Sequence, residues 1–121
     1  MRKVLIVDND EDLLDIVKRI LIVKGFDVHT ILNGANVSNV VQSYNPDIIL
    51  LDILLYGEAG TDICKELKSQ YHVPILLFSA DTKKGEAFAD SGADGFLSKP
   101  FDISELINII DLHLNSTKKV E

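Results

Sequence analysis

Three short, uninterrupted apolar runs constrain the fold of this chain more than any other feature of its sequence. They cover residues 4–7, 48–51 and 75–78. Each run is too short for a helix and shows no alternation of polar and apolar residues, which is typical of strands buried on both faces. Two weaker candidates, 27–32 and 95–98, suit the edges of the same sheet.

Helical patterns fill the intervals between these runs. Apolar residues recur at helical spacing in two stripes, and weaker patterns predict helices over 35–44, 61–71 and 83–91. The stripes consist of Leu13, Ile16, Val17, Ile20 and Leu21, and of Ile103, Leu106, Ile107, Ile110 and Leu114. Five strand–helix pairs in succession predict an α/β fold: a doubly wound, five-stranded parallel sheet in the order 2-1-3-4-5.

The composition fits a single globular domain spanning residues 1–121, with a flexible polar tail over 115–121. The chain is 46% hydrophobic and carries a formal net charge of −7. This acidic balance disfavours direct binding to nucleic acid or to an anionic membrane, since both need a basic surface. Cys64 has no partner for an internal disulfide, and no apolar run approaches the length of a transmembrane helix, so we expect a cytoplasmic location.

Polar residues follow four of the predicted strands at the point where each strand ends. They are Asp8 and Asp10, Asp52, Ser79, and Lys99. Ligands of an open parallel sheet bind at this edge, at the switch in strand order. Two carboxylates about 6 Å apart repel by roughly 3 kcal/mol at an effective dielectric near 20, so the cluster favours a hard divalent cation such as Mg²⁺. With a lysine and a hydroxyl alongside, the edge is equipped to handle a phosphoryl group, with Asp52 as the nucleophile.

These residues resemble the receiver domain of two-component response regulators over essentially the whole chain. The resemblance depends on V-D-N-D-E after the first strand, L-L-D-I-L-L-Y-G-E-A-G around the third, L-F-S-A after the fourth and L-S-K-P-F after the fifth. It implies a flavodoxin-like (βα)₅ fold and a phosphate-accepting signalling module, not an enzyme acting on a separate substrate. The partners would be a histidine kinase or phosphotransfer protein and an unknown output protein. The chain would be a receiver-only protein or an excised domain.

The same resemblance implies a role for each residue of the predicted phosphoryl site. Asp52 would be the residue that is phosphorylated, and Ser79 would hydrogen-bond a phosphoryl oxygen. Lys99 would pair with the phosphoryl group, and Pro100 would shape its loop through a cis peptide bond. Phe96, with Ser79, would form the switch by turning inward when the phosphate is present.

The metal site implied by the resemblance departs from the usual family pattern. Its ligands would be Asp8, Asn9, Asp52 and the backbone carbonyl of Leu54. An acidic pair is usual after the first strand, and Asn9 replaces its second member with an uncharged amide. We therefore expect weaker Mg²⁺ binding than in typical relatives, unless Asp10 serves as a substitute ligand.

Other interpretations of the same residues remain open. Asp10 or Glu11 can serve as an N-cap of the first helix. V-D-N-D-E also resembles the nucleophile segment of haloacid-dehalogenase-type phosphatases, with Asp8 as nucleophile and Asp10 as acid–base, although that leaves Asp52 without a role. A third alternative is a receiver-like docking module that phosphorylation does not control.

The last predicted helix offers a candidate dimerisation surface. Ile109 and Leu112 fall outside its inward stripe, so we expect both to be exposed in a monomer. Receiver domains use the face formed by their fourth helix, fifth strand and fifth helix to dimerise. The resemblance therefore predicts a possible homodimer through these two residues.

Overall fold

The fold comes from a computed structural model that describes residues 1–55, 58–80 and 91–119. Its strands are β1 (Lys3–Val7), β2 (Asp27–Ile31), β3 (Ile48–Asp52), β4 (Leu54–Leu55), β5 (Glu58–Ala59), β6 (Ile75–Ser79) and β7 (Gly95–Ser98). Its helices are α1 (Glu11–Val23), α2 (Val37–Tyr44), α3 (Gly60–Gln70) and a C-terminal helix (Ile103–Lys119). The predicted helix over 83–91 lies outside the described residues, apart from its last position.

Five strands form one parallel sheet in the order β2-β1-β3-β6-β7. This arrangement confirms the predicted fold and strand order. The short strands β4 and β5 pair antiparallel with each other, directly after β3. The sequence did not predict this ribbon, because strands of two residues leave no periodic signal.

The core lies on both faces of the sheet, because successive strand residues point to opposite sides. Leu5 and Val7 pack beneath α2 and α3, whereas Val4 and Ile6 pack beneath α1 and the C-terminal helix. Every residue of β3 and β6 is buried. The three apolar runs are therefore central strands, as predicted.

Helix α1 buries most of the predicted stripe: Val17 and Leu21 are buried and Leu13 packs partly buried against the core, but Ile16 is not part of it. Ile16 is 55% exposed, and Leu14 is buried in its place together with Val17 and Leu21. The spacing of these three buried residues is itself helical, so periodicity alone allowed either Leu14 or Ile16 at the margin of the stripe. Within the part of the chain that the structure covers, no helix is long and apolar enough to cross a membrane.

The C-terminal helix differs from its prediction in the exposure of one residue and in its length. Ile109 is half-buried against the core, so the prediction that it is exposed was wrong; Leu112 is 62% exposed, as expected. Ile109 lies at the margin of the inward stripe, where the neighbouring core still reaches it. The helical backbone also continues through 115–119, part of the predicted tail.

Candidate phosphoryl site at the carboxyl edge of the sheet

Strand register brings the predicted site residues together at one edge. Val7 of β1 is paired with Leu51 of β3, so the residues that follow them in the chain, Asp8 and Asp52, lie side by side. Ser79 ends β6, and its carbonyl accepts a hydrogen bond from the backbone N–H of Lys99 at 2.8 Å. The backbone of four parallel strands therefore places two carboxylates, a hydroxyl and an ammonium in one region.

Lys99 links the two buried carboxylates. Its Nζ donates to Oδ2 of Asp8 at 2.7 Å and to Oδ2 of Asp52 at 3.3 Å. Asp8 is 0% exposed and Asp52 is 5% exposed, so this cation offsets negative charge that water cannot reach. Among the described residues, no buried side-chain nitrogen or oxygen lacks a hydrogen-bond partner.

Each carboxylate is oriented by the backbone of the residue two positions later. Oδ1 of Asp8 accepts from the N–H of Asp10 at 2.8 Å, and Oδ1 of Asp52 accepts from the N–H of Leu54 at 3.1 Å. These local turns leave the Oδ2 atoms pointing at Lys99. The two side chains therefore have little rotational freedom.

Burial raises the pKa of Asp52 above its ordinary value, and the negative charge of Asp8 raises it further. The N–H of Leu54 and the ammonium of Lys99 act in the opposite direction, because both stabilise the charged form. Desolvation is the largest of these effects. The carboxylate of Asp52 is therefore a more basic oxygen nucleophile than an exposed aspartate.

Of the predicted switch residues, Ser79 lies at this edge, whereas Phe96 is paired with Leu77, two residues back from the edge. Ser79 is fully buried at the end of β6, while Phe96 is half-buried in β7 and packs against the core cluster beneath α2 and α3. The peptide bond between Lys99 and Pro100 is cis, as the resemblance implied.

The residues near Asp8 and Asp52 offer oxygen ligands suited to a hard cation, although few of these ligands are charged. Asn9 directly follows Asp8, and Leu54 lies two positions after Asp52 with its N–H bonded to that carboxylate, so an amide and a backbone carbonyl are available next to the two carboxylates. This oxygen-only set is the kind that holds Mg²⁺ together with water. No group of three acidic, histidine or cysteine side chains suitable for a metal occurs in the described ranges.

Asp10 has a structural partner already. It is the N-cap of α1, and its Oδ1 accepts from the N–H groups of Asp12 at 3.1 Å and Leu13 at 3.2 Å. This contact favours the capping interpretation over a role as substitute metal ligand.

Two further residues shape the site, and the sequence analysis assigned neither of them a role. The ring of Phe78 lies beneath the Lys99 ammonium, 4.9 Å from Nζ to the ring centroid. A Cβ on Gly60 would collide with the carbonyl oxygen of Asp52 and lie 2.8 Å from Cα of Ile53. Phe78 and Gly60 both lie within the quoted motifs, one directly before Ser79 and the other at the end of the segment around Asp52, but the sequence did not show what either residue does there.

The sheet order and the composition of its carboxyl edge define the CheY-like receiver class of α/β proteins. Residues 4–111 match the family model of the response regulator receiver domain. The chain therefore belongs to the response regulator receiver domain family of two-component signal transduction, whose members are signalling modules rather than conventional enzymes. Receiver domains typically bind Mg²⁺, and membership implies a histidine kinase as partner.

Solved structures support this assignment over nearly full length. The chain is 26% identical to the BeF₃-activated N-terminal receiver domain of Klebsiella pneumoniae RstA, with a TM-score of 0.88, covering 93% of this chain and 98% of that one. It is 29% identical to the receiver domain of Francisella response regulator 1452, with a TM-score of 0.87 and coverage of 97% and 99%. A CheY-like receiver protein of Methanospirillum hungatei, 23% identical, shares the fold with a TM-score of 0.91 and coverage of 100% and 99%.

Proposed function

We propose that this receiver domain accepts a phosphoryl group on Asp52 from a phosphohistidine of a histidine kinase or phosphotransfer protein. One observation carries the proposal: two buried carboxylates, Asp8 and Asp52, share the Lys99 ammonium at 2.7 and 3.3 Å at the carboxyl edge of the sheet. Burying two like charges is costly, so a structural site would be expected to use fewer of them.

In the proposed reaction, a carboxylate oxygen of Asp52 attacks the phosphorus of the phosphohistidine. An O–P bond forms as the P–N bond breaks, and the imidazole leaves as a neutral ring because its other nitrogen is already protonated. Lys99 lies within reach of Asp52, so its ammonium can pair with a negatively charged phosphoryl oxygen after the transfer. The Ser79 hydroxyl would hydrogen-bond another phosphoryl oxygen.

Asp8, Asn9, Asp52 and the carbonyl of Leu54 would hold Mg²⁺. When bound, this ion would neutralise charge on the phosphoryl oxygens. The Asn9 amide contributes an oxygen without a charge, so these residues would bind the ion more weakly than a site with a third carboxylate.

Phosphorylation would act on the rest of the domain by adding about −1.5 to −2 charges at this edge. Ser79 and Phe96 would respond, and the change would alter a surface recognised by an output protein. A homodimer through the exposed Leu112 of the C-terminal helix remains a prediction. A known precedent for a phosphoryl analogue is the BeF₃-activated form of the RstA relative.

The phosphatase alternative is less well supported by the site. It requires Asp10 to exchange protons with a substrate, but the Asp10 side chain caps α1. It also leaves unexplained why Asp52 is buried beside Lys99.

Incubation with acetyl phosphate and Mg²⁺, followed by intact-mass measurement, tests the proposal. The wild-type protein should gain the mass of one phosphoryl group, and Asp52→Asn should gain none. The phosphatase alternative predicts instead that Asp8→Asn removes the adduct while Asp52→Asn retains it. A wild-type protein that gains no mass would favour the docking module.

A further inference from the structure

The Lys99 ammonium has a third neighbour besides the two carboxylates. Its Nζ lies over the face of the Phe78 ring, 4.9 Å from the centroid. Phe78 is 4% exposed, and Lys99 is largely shielded as well, with a side-chain exposure of 20%. An ammonium over an aromatic face is attracted by the ring quadrupole, and more strongly where water is excluded.

The orientation of the Phe78 ring is set by its surroundings. Within the sheet, Phe78 is paired with Asp52 of β3 on one side and with Leu97 of β7 on the other. Phe101 packs edge-on against the ring, with centroids 6.2 Å apart and an interplanar angle of 86°. The backbone and Phe101 therefore hold the ring face toward Lys99.

The ring differs from the carboxylates in one chemically important respect. Asp8 and Asp52 would gain a second partner when a cation binds, and Asp52 would change its charge on phosphorylation, so their hold on Lys99 depends on the state of the site. Phe78 is neutral and does not titrate. Its attraction for the ammonium persists when the carboxylates acquire other partners.

We propose that Phe78 is a positioning residue for the phosphoryl reaction, which keeps the Lys99 ammonium at the carboxyl edge by a cation–π contact. This inference rests on the proposed function of Asp52. A leucine at this position could fill much of the same space in the core but would offer no quadrupole to the cation.

A series of ring-fluorinated phenylalanines at position 78 tests the proposal in the full chain. Fluorination withdraws electron density from the ring face while nearly preserving its size. Binding of BeF₃⁻ with Mg²⁺ should weaken progressively with each added fluorine, reaching about tenfold for the trifluorinated ring and for Phe78→Leu. In the metal-free protein, the ε-methylene protons of Lys99 should show an upfield NMR ring-current shift that Phe78→Leu abolishes.

The same fluorinated series at Phe26 is the matched control, because that ring is also partly buried against the core but precedes β2, at the end of the sheet opposite the carboxyl edge. It should leave BeF₃⁻ affinity unchanged. If the wild type binds BeF₃⁻ but the affinity does not change along the fluorinated series at position 78, the role of Phe78 alone is overturned. The same holds if the NMR shift of the Lys99 ε-methylene protons is unaltered in Phe78→Leu. A wild-type protein that fails to bind BeF₃⁻ overturns the proposed function, and the role of Phe78 with it.

Discussion

At the scale of single residues, the carboxylate of Asp52 combines an electrostatic cost with the proposed chemistry. Its burial and its proximity to Asp8 both favour the protonated form, and Lys99 offsets only part of this effect. A charged group held in such a place destabilises the metal-free fold at neutral pH. The same features make its oxygen available for attack, so stability and function oppose each other at this position.

Asp52→Asn should therefore be more stable than the wild type at pH 7 without metal. Because the folded-state pKa of Asp52 is raised, the folded protein binds a proton more tightly than the unfolded chain. The wild-type free energy of unfolding falls as pH rises from the ordinary aspartate value, about 4, through the raised value. The amide introduced by Asp52→Asn does not titrate, so the stability gain should shrink as pH is lowered toward 4.

Urea unfolding of both proteins between pH 7 and pH 4 measures this difference. Lys99 retains Asp8 as a partner in the variant, so the loss of one ion pair does not leave the ammonium alone. A gain that is independent of pH, or a wild type more stable than Asp52→Asn at pH 7, would contradict the electrostatic account.

Asn9→Asp should bind Mg²⁺ about tenfold more tightly than the parent, because ligand charge strongly affects the affinity of oxygen sites for hard cations. Calorimetric titration gives the two dissociation constants. Asn39→Asp, at an exposed position on α2, adds the same charge elsewhere and serves as the control. Equal affinities for the parent and Asn9→Asp would remove the idea that Asn9 weakens the site.

The site residues identified from the strand pattern share one property: each directly follows a predicted strand. Asp8, Asp52, Ser79 and Lys99 were found in this way, and the structure brings them together. The ring of Phe78 was missed because an aromatic residue inside an apolar run is indistinguishable from core filling until the lysine is placed above it. The exposure of Ile109 was mispredicted because helical angle alone does not show how far a neighbouring core extends.

At the scale of elements, the ribbon formed by β4 and β5 shapes the backbone next to Asp52. Leu54 pairs with Ala59 and Leu55 with Glu58, and Leu55 is buried in the core. The chain then turns back so that the N–H of Gly60 donates to the carbonyl of Ile53 at 2.8 Å. This close return explains why the first residue of α3 is a glycine.

Gly60→Ala should destabilise the fold by about 3 kcal/mol, since the added Cβ would meet backbone atoms of Asp52 and Ile53 that have no freedom to move away. It should also weaken BeF₃⁻ binding, because any relief of the collision displaces Asp52. Chemical denaturation and a binding titration measure the two effects.

Gly25→Ala is the matched comparison, because Gly25 has a φ of +97° but no atom within 4 Å of the place that an added Cβ would take. Only its backbone conformation is unfavourable to alanine, at a cost of about 1 kcal/mol, and BeF₃⁻ binding should be unaffected. A Gly60→Ala protein as stable as Gly25→Ala would show that the loop has more space than its geometry indicates.

The main elements were predictable because long periodic segments and uninterrupted apolar runs report burial directly. The five strands of the main sheet, α1, α2, α3 and the C-terminal helix all lie where the sequence placed them, to within a few residues at each end. The ribbon was not predictable, since its pairing depends on the turn back toward β3. The exposed Ile16 of α1 has a different cause: the apolar residues of this helix outnumber the positions that the sheet can cover.

At the scale of the whole molecule, Asp94 links elements at the edge opposite the phosphoryl site. Its Oδ2 accepts from Lys68 of α3 and from the backbone N–H of Ile75 in β6, both at 2.9 Å. Its carbonyl lies 3.0 Å from Nε2 of His113 in the C-terminal helix. One residue before β7 therefore connects a helix from each face of the sheet to the sheet itself.

Asp94→Ala should lower the free energy of unfolding by about 1–2 kcal/mol, because it removes the acceptor of a partly buried N–H as well as an ion pair. Phosphoryl uptake from acetyl phosphate should persist, since the residue lies at the other end of the strands. Asp15→Ala, which removes an exposed ion pair with Arg19 on α1, should cost no more than about 0.5 kcal/mol. Equal losses in the two variants would contradict the linking role of Asp94.

The measurement that bears most directly on the central claim is the position of the phosphoryl group. Borohydride converts an aspartyl phosphate into homoserine, which peptide mass spectrometry can locate after treatment with acetyl phosphate and Mg²⁺. We predict homoserine at position 52 and at no other aspartate. Homoserine at position 8, or at none of the aspartates, would contradict the account.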